Sequence, residues 1–165
     1  MCSSDLSTTI PNVAVLQTLE KVDALGKLDA GSRAMLAEAR SRSEQGVQRI
    51  LNLAVKGGGF TWFSGYSTPS VPLTLIALDG LAYAVDAGLV AKSDARLVES
   101  ASWVAAQGEL PYELEATRTY VLARLEGARH APRVRALVEQ VQPGDLYGVA
   151  DRKSTRLNSS HATLS

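Results

Sequence analysis

Cysteine is almost missing from this 165-residue chain, which holds one, Cys2. That excludes an internal disulfide framework and a cysteine metal cluster. Charge of one sign is missing too: 17 Lys and Arg face 17 Asp and Glu. No strong field therefore draws the chain to nucleic acid or to an anionic membrane surface. The chain does not open on the basic-then-apolar pattern of a secretory signal. Its longest apolar stretch, "VPLTLIALDGLAYAVDAGLVA" at 71–91, is about the 20 residues a membrane span needs. Asp79 and Asp86 interrupt it, and two unpaired carboxylates in lipid are costly. The stretch reads as a buried helix of a soluble protein, with no membrane span.

The two ends differ in character from the rest. "DRKSTRLNSSH" at 151–161 resembles the in-frame translation of a DNA sequencing adapter. "MCSSDL" at 1–6 resembles the matching adapter in the opposite sense, with a GTG codon read as Met. The expectation is that residues 1–6 and 151–165 are adapter-derived and that 7–150 is the informative segment. Cys2 and His161 then carry no native meaning, and His130 is the one histidine left.

Residues 7–150 read as helix throughout. Val13, Leu16 and Leu19 open a short helix after Pro11, a residue well tolerated in a first turn. Ser32 is a candidate N-cap for the next, in which Leu36, Ala39, Val47, Ile50 and Ala54 form one apolar stripe. "VKGGGFTWFSGYSTPS" then breaks the pattern as a loop. From Ser70 to Ala87 the apolar residues cover nearly the whole helix circumference, leaving Asp79, Tyr83 and Asp86 as a narrow polar stripe. A helix of that kind is buried on most sides. Ser93 caps a striped segment with Leu97, Ala101 and Val104. Pro111 leads into another that ends at Gly127, a C-cap residue. Pro132 opens a third, and Asp145 is the candidate N-cap of one more. The alternation predicts hairpins that pair 33–54 with 70–87 and 93–106 with 112–125, the second member of each being the more buried. Such pairs bury their apolar faces by stacking on neighbours. The expected fold class is all-α, either an open solenoid or a closed α/α toroid.

Particular residues narrow this. "GGGFTWF" at 57–63, followed by "STPSVPLTLIALDGLAYAVDAGLV", resembles the Gly-rich aromatic loop and inner helix of the thioester domain in bacterial α-macroglobulins. "STTIPNVAVLQTLEKV" at 7–22 is similar to the stretch after that family's thioester motif, and "SEQGVQRILNL" at 43–53 to the outer helix before the loop. The resemblance spans most of 7–150. It implies a partial α/α toroid within a large multidomain protease trap that resembles complement components. The partners it implies are target proteases and other domains of the same chain. It places the parent in the periplasm or outside the cell, free or membrane-anchored. In the family a strained Cys–Gln thioester, kept from water until triggered, acylates a nucleophile on the target.

The family's Cys-x-Glu-Gln does not stand here. Its place falls in Met1–Leu6, where Cys2 is followed by Ser3, Ser4 and Asp5. No catalytic, cofactor-binding or metal residue is carried over, and no enzyme activity is expected. The family-motif loop residues Gly57, Gly58, Gly59, Trp62 and Phe63 are read as structural, the two aromatics filling the gap between hairpins. A phosphate cradle at Gly57–Gly59 lacks a preceding strand and any phosphate-loop order. His130 reads as a solvated loop residue. Asp79 and Asp86, roughly 10 Å apart by helix rise, read as a polar stripe rather than an acid/base pair. The basic clusters at 40–44 and 128–135 read as solvated helix faces. Two other functions fit an all-helical repeat: a terpene cyclase or prenyltransferase-like toroid, which needs an acidic or zinc motif, and a helical interaction module without chemistry.

Overall fold

The computed structural model describes residues 2–140, and every regular element among them is helical. The order is α1 (Cys2–Ala24), α2 (Ala30–Leu51), α3 (Val71–Asp86), α4 (Ala95–Ala105), α5 (Tyr112–Glu126), a 3₁₀ turn (Gly127–His130) and α6 (Ala131–Gln140). Residues 141–165 and the helix expected from Asp145 lie outside the described part, as do the side chains of 1–6.

Helix α3 sits at the centre because its sequence leaves it no polar face wide enough for solvent. Leu73, Leu75, Leu78 and Leu81 are fully buried, among Val13 and Leu16 of α1, Ile50 and Leu51 of α2, Leu97 and Val104 of α4, and Val121 of α5. Each such side chain contributes roughly 1.5–3 kcal/mol by leaving water. The odd-numbered helices lie side by side, α3 between α1 and α5. The even-numbered ones cover them: α2 on α1, α4 on α3 and α5, α6 on α5.

The hairpin pairing therefore needs correcting. Helix α2 packs mainly on α1 and only lightly on α3. The burial expectation holds for the first pair: α3 buries nine residues of 16, α2 five of 22. It does not hold for the second, where α4 buries four of 11 and α5 five of 15. The outward face of α5, with Tyr112 and Tyr120 about half exposed, has no inner neighbour beyond it among the described residues.

Helix α1 also differs from the sequence expectation. It begins at Cys2 and runs through Pro11, although an interior proline costs roughly 3 kcal/mol. The turn before Pro11 is held by two close crossings. A methyl group added at Gly46 of α2 would lie 2.4 Å from Thr9 Oγ1, and one added at Gly80 of α3 would lie 2.4 Å from Ile10 Cδ1. The two glycines are notches that receive Thr9 and Ile10. Gly46 is thus a packing residue, not merely a weak point in its helix.

The caps sit near the expected serines but are aspartates. Asp29 Oδ1 accepts the Ser32 N–H at 2.7 Å, and α2 starts at Ala30. Asp94 caps α4, accepting the Arg96 N–H at 3.0 Å and the Arg96 guanidinium at 2.9 Å. Arg118, to which the sequence reading gave no role, is buried. It donates to Gln107 O at 2.7 Å and Gly108 O at 3.3 Å, just past the end of α4, and pairs with Glu115. A cation there meets loop carbonyls at the negative end of the helix dipole.

Two outcomes follow from this packing. Gly46→Ala should destabilise the fold by up to about 2 kcal/mol in chemical denaturation, since an overpacking cost of about 1–3 kcal/mol outweighs the ~1 kcal/mol gain in helix propensity. Adding Thr9→Ala should recover part of the loss. Independence of the two substitutions would contradict the notch.

The second concerns acid. The side-chain hydrogen bond from Arg96, aided by its backbone N–H against slight burial, holds Asp94 below the ordinary aspartate range. A lowered folded-state pKa contributes stability above the unfolded value, lost as pH falls through the lowered one. Asp94→Asn should therefore lower the melting temperature at neutral pH and flatten its decline on acidification.

Candidate functional site

The loop between α2 and α3 is the most closely fitted irregular segment of the described chain. It leaves α2 at Asn52 and turns back at the three glycines, where Val55 N–H donates to Gly59 O and Gly58 N–H to Val55 O, both at 2.9 Å. Thr61 N–H then returns to Leu53 O at 3.1 Å, and Ser70 N–H donates to Phe60 O at 3.0 Å. Two buried hydroxyls from different helices complete the set. Ser100 Oγ of α4 accepts from Gly59 N–H at 3.1 Å, and Thr74 Oγ1 of α3 accepts from Phe60 N–H at 2.9 Å.

Close approach explains the glycine at 58. A methyl group there would lie 2.4 Å from the Glu99 carbonyl oxygen and 2.5 Å from Trp103 Cβ, and φ is +105°. The loop backbone thus rests on α4 with no room for a side chain. The same geometry answers the phosphate question. The N–H groups of Gly58, Gly59 and Phe60 all have partners within the fold, and a helix precedes the loop rather than a strand.

The aromatics are arranged differently from the sequence expectation. Trp62 is 47% exposed and Phe63 53%, with Tyr66 beside Phe63 at 5.7 Å between ring centroids. Neither Trp62 nor Phe63 fills the gap between hairpins. Phe60, 1% exposed, does so. The hydrogen bonds of Phe60 N–H and O to Thr74 and Ser70 turn its ring inward, and no spacing in the sequence marks it above its neighbours. Trp103, half-buried against Gly58 and Gly59, is another residue that the sequence reading missed.

The polar stripe of α3 is a second constellation. Arg124 of α5 reaches across to it, with Nη1 3.4 Å from Asp79 Oδ1 and Nη2 2.6 Å from Asp86 Oδ2. Its guanidinium carbon lies 4.0 Å above the Tyr83 ring centre and 5.9 Å from that of Tyr120. The hydrogen bond to Tyr120 raises the Tyr83 phenol above the ordinary tyrosine value, against the pull of Arg124. Burial works to lower the Arg124 pKa, and the bond to Asp86 leads the opposing effects, which leave it raised. From the other side, Gln17 of α1 donates to Tyr83 O at 3.0 Å. The stripe thus links α1, α3 and α5. One cation shared by two carboxylates leaves neither as an unengaged acid or base.

His130 is also placed differently from the expectation. It lies in the 3₁₀ turn with its side chain 16% exposed, against Glu126. Arginines of the basic clusters are paired, some with acids distant in sequence: Arg40 with Glu20 and Glu44, Arg42 with Glu38, Arg129 with Glu126 and Arg133 with Glu115. Among the described residues no group of three or more His, Cys, Asp or Glu is placed to hold a metal, and no helix is long and apolar enough to cross a membrane. No protein family, curated protein or solved structure matches the chain.

The glycines give a contrast that tests the loop. Gly58→Ala combines left-handed strain, about 1–2 kcal/mol, with a backbone clash of about 1–3 kcal/mol. Gly57→Ala meets open space despite φ of +89°, so only the strain remains. Urea denaturation should rank Gly58→Ala clearly below Gly57→Ala; equal losses would mean the loop does not rest on α4.

Proposed function

We propose that this chain is part of the thioester domain of a bacterial α-macroglobulin-like protease trap. The observation that carries the reading is the Gly57–Phe63 loop leading directly into the most buried helix of the fold, in the order the family resemblance requires. The side-by-side α1, α3 and α5, covered by α2, α4 and α6, support an incomplete α/α toroid. The engagement of the Gly58 and Gly59 amides within the fold supports a structural role for these two glycines.

On this reading the chain turns over no substrate and needs no cofactor. It forms part of the body against which the parent's thioester is kept dry. After a protease cuts the parent, a nucleophile on the target attacks the glutamyl carbonyl carbon. The acyl–sulfur bond breaks, the sulfur leaves as thiolate, and the target is held through a new acyl bond. The parent works in the periplasm or outside the cell, free or membrane-anchored, with proteases and its own other domains as partners.

Gln17, the glutamine nearest Cys2 in sequence, is engaged with Tyr83 O on a helix. The chain alone should therefore take up no labelled methylamine. The parent gene should encode Cys-x-Glu-Gln just before Ser7, and protein carrying those residues should incorporate one methylamine per chain and release one thiol. An upstream sequence without that cysteine, or a motif-bearing protein that stays unlabelled, counts against the proposal.

A further inference from the structure

Between α5 and α6 runs an apolar groove of about 490 Å³, lined by Tyr112, Ala116, Tyr120, Val134, Leu137 and Val138. Tyr112 is 47% exposed, Tyr120 49% and Val138 65%. A patch of large apolar side chains gathered in a concavity differs from apolar residues scattered singly, and it marks a contact surface. Thr119, which lines the groove and is 2% exposed, has a hydroxyl with no hydrogen-bond partner among the described residues. A buried hydroxyl left so costs about 1–3 kcal/mol.

Chain connectivity points to the occupant. Helix α6 folds back along α5 after the 3₁₀ turn, as the Arg133–Glu115 pair shows, and is described as far as Gln140. Among the described elements it packs mainly on α5 and that turn. The next residues are Val141, Gln142, Pro143 and Gly144. Pro-Gly is a turn signal, and short connections are ordinary between packed helices. A chain that reverses there re-enters beside the first half of α5, where Tyr112 and Ala116 stand. What re-enters is Asp145, Leu146, Tyr147, Gly148, Val149 and Ala150. It carries three large apolar side chains.

We propose that the groove between α5 and α6 is the docking site of the chain's own segment Asp145–Ala150, through Leu146, Tyr147 and Val149. A short tether gives that segment an effective concentration on the order of millimolar, which a second copy in dilute solution does not match. The inference rests on the groove and on connectivity, and it stands apart from the α-macroglobulin reading.

The test is amide hydrogen exchange on the full chain and on the Leu146→Asp/Tyr147→Asp variant. Exchange across Val134–Val138 should be at least about 10-fold faster in the variant, with α2 and α3 unchanged. Equal rates in the two proteins overturn the proposal. So does protection of these amides that rises with protein concentration, which assigns the groove to a second copy. Crosslinking gives a readout without added charge. A chain with Cys2→Ser, Ala116→Cys and Leu146→Cys should close an intrachain disulfide on mild oxidation; free thiols, or disulfides between chains only, overturn it.

Discussion

The loop at Gly57–Gly59 rests its backbone directly on α4, and much of the arrangement depends on that contact. Gly58 approaches Glu99 and Trp103 too closely for any side chain. Because the backbone lies there, Gly59 N–H reaches Ser100 and Phe60 N–H reaches Thr74. Those two bonds join the end of α2, the start of α3 and the middle of α4 through one short segment. Phe60 is thereby turned into the core. The orientation of α3, on which the inner layer is built, follows from where this loop delivers the chain.

Hydrophobic burial supplies most of the driving force, but it is non-directional. Charge contacts add direction at the seams. Arg124 ties α5 to the one polar stripe of α3. Arg118 joins the end of α4 to α5, and Glu115 extends the link to Arg133 of α6. The pairs with exposed partners are worth little singly. Their value lies in register: a one-residue slip of α5 along α3 would leave a largely covered guanidinium without both carboxylates.

The helices were legible in the sequence because apolar spacing of 3.6 residues and Gly or Pro punctuation are local signals. The central place of α3 was legible for the same reason, since no wide polar face interrupts Val71–Val85. What was missed depends on partners distant in sequence. Helix α1 passes through Pro11 because notches at Gly46 and Gly80 receive Thr9 and Ile10, and a single stretch of sequence cannot show a notch. The aspartate caps lie within three residues of the expected serines, where several competent cap residues stand together. Trp62 and Phe63 looked like gap-fillers by type, but backbone hydrogen bonds settle that Phe60 turns inward. Asp79 and Asp86 were visible as a stripe, while Arg124, 38 residues beyond Asp86, was not. Of the candidate site, the loop was readable as a loop. Its seating on Ser100 and Trp103 was not.

Such seating fixes the loop to the helical body. Its most direct test is the exchange of individual loop amides with solvent deuterium, read by NMR. If the loop is fixed to α3 and α4, the Gly59 and Phe60 amides exchange only when the core opens, as slowly as the Leu78 amide at the centre of α3. Exchange of Gly59 and Phe60 at rates typical of an open surface loop, with Leu78 still protected, would show that the helices hold together without the loop and would contradict the account.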